Sequence, residues 1–187
     1  MAASASATAA ASSVSASAAV AANKQKLSSI KNDDIELFTL NGVKTMGKIV
    51  DMYDGDTCKI VLLVNMQKFN CRLVSLDTPE MRPPLKKEHR DQEILNAHKC
   101  RNRLIQLATN CHCTSLDLML KKPECKSLID TNTKLIYIHC LEFDKYGRLL
   151  VELFQHEHDK ISINQLLINE GMAKAYDGGK KDEFTYN

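Results

Sequence analysis

Hydrophobic and polar positions alternate along the middle of the chain in runs short enough to be strands. The clearest run covers residues 68–76, where Cys71 and Leu73 alternate with Asn70 and Arg72. A period of two predicts a strand and places the side chain of Arg72 on the face opposite that of Cys71. One face of this segment is therefore expected to be buried and the other to carry polar groups.

Four more segments have strand-like patterns. Residues 57–65 (TCKIVLLVN) are β-branched and apolar, which suits a central strand that begins after the turn signal Asp-Gly-Asp. Shorter apolar runs at 45–51, 135–141 (LIYIHCL) and 149–154 complete the set. The polar segment between the last two contains Gly147 and reads as a turn.

Spacings of three and four predict a helix over residues 88–110. Its apolar face is expected to consist of Ala97, Cys100, Leu104, Leu107 and Cys111. Its charged outer face is expected to carry Lys99, Arg101 and Arg103. The preceding loop is basic, and its Lys86 and Lys87 either contact phosphates, belong to a mobile lid or are simply solvated.

A second helix is predicted by Ser162 and Gln165, which have the spacing of a capping box, and by Gly171 at the position of a C-terminal glycine. The order is then three strands, a helix, two strands and a helix. This order suits a small α+β, mainly β domain: a five-stranded, partly closed barrel of the OB type with two to three helices.

Composition divides the chain into four parts. Of the first 22 residues, 12 are Ala and 6 are Ser, and no charge precedes Lys24. We interpret residues 1–30 as a disordered tail, because Ala side chains bury too little apolar area to offset chain entropy; a short Ala-rich helix is the alternative. Residues 31–42 are a linker, 43–179 the domain and 180–187 a C-terminal tail.

Charge and apolar content exclude several classes of protein. A net charge of +2 excludes a histone-like polycation but not a local basic patch. No apolar run is long enough for a transmembrane helix, and the N-terminus lacks the features of a secretory signal, so we expect an intracellular protein of the cytoplasm or nucleus with no membrane partner. Its seven cysteines are expected to be reduced thiols. Three of them lie in residues 111–133, an insertion-like segment with no predicted role.

Polar side chains that suit a cation cluster where predicted strands end. Asp56 and Asp77 supply two carboxylates, and Thr78 adds another oxygen. Oxygen ligands without a nearby Cys or His favour Ca²⁺ or Mg²⁺ over zinc, and two carboxylates leave room for waters and a substrate oxygen. Glu80 is a third carboxylate, suited to orienting or deprotonating a water.

Two arginines stand near the same strand ends. Arg72 and Arg148 are permanently charged forks that can bind phosphate oxygens bidentately. A cation, a carboxylate base and two arginines together suit attack on a phosphodiester. Each feature taken alone also has an ordinary explanation as a turn or a solvated strand residue, so the residues by themselves leave both interpretations open.

Three separated motifs resemble the signature of the staphylococcal nuclease (thermonuclease) family. They are Gly55-Asp56-Thr57, residues 72–80 (RLVSLDTPE) and residues 144–148 (DKYGR), in the family's order. The resemblance runs from Gly42 to Gly179, and the ending of the domain is closer to members from eukaryotes and large DNA viruses than to secreted bacterial ones.

The resemblance implies an OB-type barrel and a Ca²⁺-dependent nuclease that cuts DNA and/or RNA endonucleolytically and leaves 3′-phosphate ends. We expect the protein to be a monomer. It implies three metal ligands, Asp56, Asp77 and Thr78, and three catalytic residues, Arg72, Glu80 and Arg148. It implies that substrate is bound by Lys145, Tyr146 and Tyr176. The family's second base-stacking tyrosine has no clear counterpart.

Two other classes of protein stay open. A non-catalytic OB-type module would bind nucleic acid without cutting it. A zinc-linked regulatory protein would use Cys111-His112-Cys113 and Cys125, with His156 and His158 as further candidates. Cys-x-Cys is a poor match to the usual zinc spacings.

Overall fold

The computed structural model describes residues 18–112, 115–179 and 184. The chain divides into two compact units, Met1–Phe38 and Thr39–Asn187. In the first unit, residues 18–29 form a helix, α1, whose side chains are all exposed, and a 3₁₀ turn follows at Asn32–Asp34. Ala, Lys, Gln and Leu in this segment favour helix, which is the alternative stated for the tail. The rest of the predicted tail, residues 1–17, lies outside the described residues.

A closed five-stranded barrel forms the second unit. The chain runs through β1 (Lys44–Met52), β2 (Thr57–Leu62), β3 (Lys68–Leu73), β4 (Leu76–Asp77), β5 (Ile136–Phe143), β6 (Leu149–Phe154) and β7 (Lys174–Ala175). The barrel order is β1-β2-β3-β6-β5, closing back onto β1, and only the β3–β6 pair is parallel. This is the predicted OB-type α+β fold, which is confirmed. β4 and β7 pair separately as a small antiparallel sheet.

Inward-facing side chains fill the barrel in the alternation that the sequence predicts. The central ones, all essentially inaccessible to solvent, are Ile60, Leu62, Leu73, Ile138, Leu149 and Leu153. Gly47 in β1 has no room for a side chain, because a Cβ there would lie 2.8 Å from the carbonyl oxygen of Val61. The barrel is thus a packed core, and function is left to its outer face and loops.

Three helices cover the barrel: α2 (Arg90–Ala108), α3 (Lys122–Thr131) and α4 (Ile163–Asn169). The predicted apolar face of α2 is buried. Arg103 of α2 forms a bidentate ion pair with Glu170, at 2.7 Å from Nε and 2.6 Å from Nη2, which joins α2 to the end of α4. Ser162 caps α4 by accepting a hydrogen bond from the backbone N–H of Gln165, as predicted.

The structure adds α3, within the predicted insertion. Glu124 accepts a hydrogen bond from the backbone N–H of Lys121 and so caps the start of this helix. Cys125 and Ile129 are its two buried residues, and they pack against the barrel. One buried position per turn over ten residues is too weak a periodic signal to predict a helix.

Arg101 corrects the prediction for the outer face of α2. It is 4% exposed, and its Nη2 donates to the carbonyl oxygen of Leu120 at 2.7 Å. Its neighbour Asn102 is also buried and donates to the carbonyl oxygen of Leu118 at 2.7 Å. These two polar side chains fasten the segment that precedes α3 onto α2, a role that helical periodicity cannot reveal.

Candidate active site

The turn between β1 and β2 is built around the carboxylate of Asp54. Its Oδ1 accepts hydrogen bonds from the backbone N–H groups of Asp56 and Thr57, at 3.1 and 2.7 Å. The turn passes so close to α2 that a Cβ on Gly55 would collide with the Sγ of Cys100 and lie 2.9 Å from Cγ2 of Thr78. Glycine is thus required here by close packing, and the turn that carries Asp56 is held rigidly.

Arg72 links two of the predicted metal-ligand residues. Its Nη1 lies 2.7 Å from Oδ2 of Asp56, and its Nη2 lies 3.6 Å from Oδ1 of Asp77. Thr57 donates from its hydroxyl to the other oxygen of Asp56, at 2.8 Å. Thr57 and Arg72 are paired residues on β2 and β3, so strand register brings these groups together. Asp56 and Asp77 are both buried, and the guanidinium balances part of their charge.

Asp77 and Thr78 are positioned by the small β4–β7 sheet. Ser75, at the sharp bend before β4, has a positive φ of 65°, and its carbonyl oxygen accepts a hydrogen bond from the backbone N–H of Tyr176. The buried amide of Asn164 donates to the carbonyl oxygen of Val74, at 3.0 Å, and supports the same bend. The end of the domain therefore fixes the residues that follow β3.

Glu80 lies at the rim of the site, with an exposed side chain. Its backbone N–H donates to Oε1 of Glu93 in α2, at 3.2 Å. Glu93 is buried and forms an ion pair with Lys87, whereas Lys86 is exposed. The backbone at Glu80 is therefore hydrogen-bonded to α2, and the side chain of Lys87 stabilises the fold through its ion pair with Glu93.

The turn between β5 and β6 holds the second arginine. Nε and Nη2 of Arg148 both lie 2.7 Å from Oδ2 of Asp144, whose Oδ1 accepts from the backbone N–H groups of Tyr146 and Arg148. Partial burial raises the pKa of Asp144, but its hydrogen bonds from Arg148 and Tyr146 outweigh this, so the pKa lies below its usual value. Gly147 completes the turn with a φ of 76°. The guanidinium of Arg148 is thus held in one orientation by an ionised carboxylate.

A single cleft of about 710 Å³ joins these turns and strands. Eight of the nine predicted site residues line it: Asp56, Arg72, Thr78, Glu80, Lys145, Tyr146, Arg148 and Tyr176. The ninth, Asp77, is not among its walls and is connected to it through Arg72. Tyr53, Asp54 and Asp144 also line the cleft and were not predicted as site residues, although the last two belong to motifs that were recognised.

Negative charge is concentrated on the floor of the cleft. Asp54 is 8% exposed, and its pKa is raised from 3.8 to about 7, chiefly by burial and then by the charge of Asp56. Arg72 offsets the charge of Asp56 and Asp77, but the carboxyl group of Asp54 lies beside them as a third acidic group. A cation that entered here would relieve this repulsion.

The donor set suits a hard cation. Asp56, Asp77 and Thr78 offer only oxygen atoms, the ligands that Ca²⁺ prefers. Among residues 18–112, 115–179 and 184, no group of three or more His, Cys, Asp or Glu side chains could hold a metal by itself. A calcium ion would therefore need waters or a substrate oxygen as further ligands, which is compatible with a site that opens into a cleft.

The residues considered for zinc lie in different environments. Cys111 and Cys125 are buried, whereas His156 and His158 are exposed on the turn after β6. Cys113 lies outside the described residues. Six cysteines are free thiols in the described part of the chain.

Comparison with known protein families identifies the family of this chain. The family model described as staphylococcal nuclease homologue matches residues 70–187, which is more than half of the chain. The matched range includes every predicted site residue except Asp56, which precedes it. No curated protein matches the chain.

Within the part of the chain that the structure describes, no helix is both long and apolar enough to cross a membrane.

Proposed function

The chain belongs to the staphylococcal nuclease homologue family, and from this we propose that it is a Ca²⁺-dependent nuclease that hydrolyses phosphodiester bonds of DNA and/or RNA within the strand. The observation that carries the proposal is the cleft, in which an arginine from β3, an arginine from the β5–β6 turn and the acidic side chains of two turns share one space. Members of this family are typically nucleases.

Arg148 and Arg72 are the phosphate-binding groups of the proposal. Arg148 presents a guanidinium that Asp144 has already oriented, so it can bind nonbridging oxygens without reorganising. Arg72 also faces the cleft but shares its charge with Asp56 and Asp77. Both are permanently charged, and charge on the phosphate oxygens grows during attack, so their contribution is largest in the transition state.

Asp56, Asp77 and Thr78 would hold Ca²⁺, which when bound would supply positive charge to polarise a phosphoryl oxygen. Glu80 is the exposed carboxylate at the rim and is suited to accept a proton from the attacking water. We infer that the P–O5′ bond breaks, which leaves a 3′-phosphate and a 5′-hydroxyl. Lys145 and Tyr146 are proposed to bind a neighbouring phosphate, and Tyr176 to stack on a base.

The proposal includes a monomer. Size-exclusion chromatography with light scattering tests this. A stable dimer that loses half of its activity when it dissociates contradicts the proposed monomer.

Digestion of end-labelled DNA and RNA tests the activity itself. The expected result is cleavage with Ca²⁺, loss of cleavage with EGTA, and fragments whose mobility changes after removal of a 3′-phosphate. Arg148→Ala is expected to abolish most activity. Arg103→Ala is the matched control, since it removes an arginine ion pair on α2 that is not part of the cleft. Salt-dependent binding without product would instead favour the non-catalytic module.

A further inference from the structure

A second, smaller cavity of about 180 Å³ adjoins the cleft. The two share Tyr53, Thr57 and Arg148, whereas Tyr176 and Gly178 belong to the cleft alone. The remaining walls of the smaller cavity are Asp51, Cys58, Lys59 and Asn70. We call this cavity, with the ring of Tyr53, the Tyr53 subsite.

Strand register fixes the position of the Tyr53 subsite relative to Arg72. Thr57 pairs with Arg72, and two residues further along β2, Lys59 pairs with Asn70. Lys59 also pairs with Asp51 on β1. Side chains two residues apart on a strand share a face and are separated by about 6.6 Å. The subsite therefore lies one step along the outer barrel surface from the arginine proposed to bind the scissile phosphate.

The chemistry of the walls suits an uncharged planar group. Nζ of Lys59 lies 3.1 Å from Oδ2 of Asp51, so the two charged walls balance one another and offer little to a second phosphate. Asn70 is exposed and carries both a donor and an acceptor. The volume equals that of about six liquid waters, which is enough for one nucleobase.

Tyr53 is accessible to solvent and lines both cavities. It is 51% exposed, and its backbone N–H donates to the carbonyl oxygen of Thr57 at 2.9 Å, which anchors it at the end of β1. Aromatic rings on the β2–β3 face and adjoining loops of an OB barrel are general platforms for the bases of single strands.

We propose that the Tyr53 subsite binds the base of a nucleotide next to the scissile phosphate, on the side away from Tyr176, with the base stacked on Tyr53 and its edge facing Asn70. The proposal rests on the proposed nuclease function and extends the substrate-binding surface beyond the cleft. It makes Tyr53 a residue that binds substrate rather than one that takes part in the chemistry.

The test uses short single-stranded DNA with one native phosphodiester among methylphosphonate linkages, so that only one bond can be cut. Three versions carry all bases, an abasic position 5′ of the native bond, or an abasic position 3′ of it. We compare kcat/KM for the parent with Tyr53→Ala, Tyr53→Leu and Tyr53→Phe. Tyr53→Leu keeps apolar bulk without a ring, and Tyr53→Phe keeps the ring.

The expected result is a loss of roughly tenfold in kcat/KM for Tyr53→Ala and Tyr53→Leu, with Tyr53→Phe close to the parent. The loss should vanish on one of the two abasic substrates and persist on the other. An unchanged kcat/KM in Tyr53→Ala, or a loss that is equal on all three substrates, overturns the proposal.

Failure of the nuclease assignment gives a different result. If the parent chain cuts none of the substrates with Ca²⁺, the proposed function fails. Fluorescence anisotropy with the same three oligonucleotides then tests the subsite. Equal affinities of the parent and Tyr53→Ala for the strand that carries all bases overturn the subsite. A roughly tenfold weaker affinity of Tyr53→Ala for that strand, with no difference on one of the abasic strands, supports it.

Discussion

Replacing Asp54 with Asn is expected to stabilise the metal-free protein at neutral and higher pH. Burial and the charge of Asp56 raise the pKa of Asp54 from 3.8 to about 7, so the folded protein holds this proton more tightly than the unfolded chain does. The contribution of protonated Asp54 to the free energy of unfolding is therefore complete below pH 4 and is lost as the pH rises through 7. A shift of this size corresponds to at most about 4 kcal/mol. Asn keeps the oxygen that accepts from Asp56 and Thr57, but it cannot ionise.

Urea denaturation of parent and variant at pH 3.5 and pH 8, with chelator present, measures the effect. The free energies of unfolding should be similar at the lower pH, and the variant should be more stable at the higher one. Comparing the two proteins at each pH cancels the titration of all other groups. An advantage of the variant that does not change with pH would refute the reasoning. Under the proposed function, Ca²⁺ should stabilise the parent at pH 8 through linked binding.

Three further results are expected. Arg148→Ala and Glu80→Gln should each lower kcat by about 10²–10³ while the protein still folds, and steady-state turnover near that of the parent contradicts their roles. Gly55→Ala should destabilise the protein by roughly 1–3 kcal/mol in urea denaturation, because its Cβ would collide with Cys100. Burial raises the pKa of five buried thiols: Cys58, Cys71 (to about 12), Cys100, Cys125 and Cys140. These thiols should react with a thiol reagent far more slowly in native than in denatured protein, and equal rates refute their burial.

The barrel was predictable from the sequence because its signals are local. The run at 149–154 coincides with β6, Leu149–Phe154, since buried and partly exposed positions alternate from Leu149 to Leu153. The cap at Ser162 was predictable for a similar reason, because the hydroxyl and the N–H that it satisfies are three residues apart. Such features need no knowledge of distant parts of the chain.

Other features depend on contacts between distant segments. Arg101 lies at a position that periodicity assigns to solvent, yet the segment before α3 covers it and supplies the carbonyl of Leu120. In the sequence Tyr53 is an ordinary residue before a turn. The pairing of β1, β2 and β3 places it in the walls of two cavities. The site motifs indicated residue types for phosphodiester chemistry, whereas the side chains that orient them, such as Asp144, follow from turn geometry.

The two arginines of the cleft differ in how far the fold depends on them. Arg72 compensates the buried carboxylates of Asp56 and Asp77, so removing it leaves uncompensated buried charge, which typically costs several kcal/mol. Arg148 lies on a turn with its partner Asp144, at 29% side-chain exposure, and can be removed with less damage. If a substrate phosphate draws Arg72 away from the two aspartates, another positive charge must neutralise them. The proposed requirement for a divalent cation follows from this balance, because the cation can neutralise the aspartates while Arg72 binds phosphate.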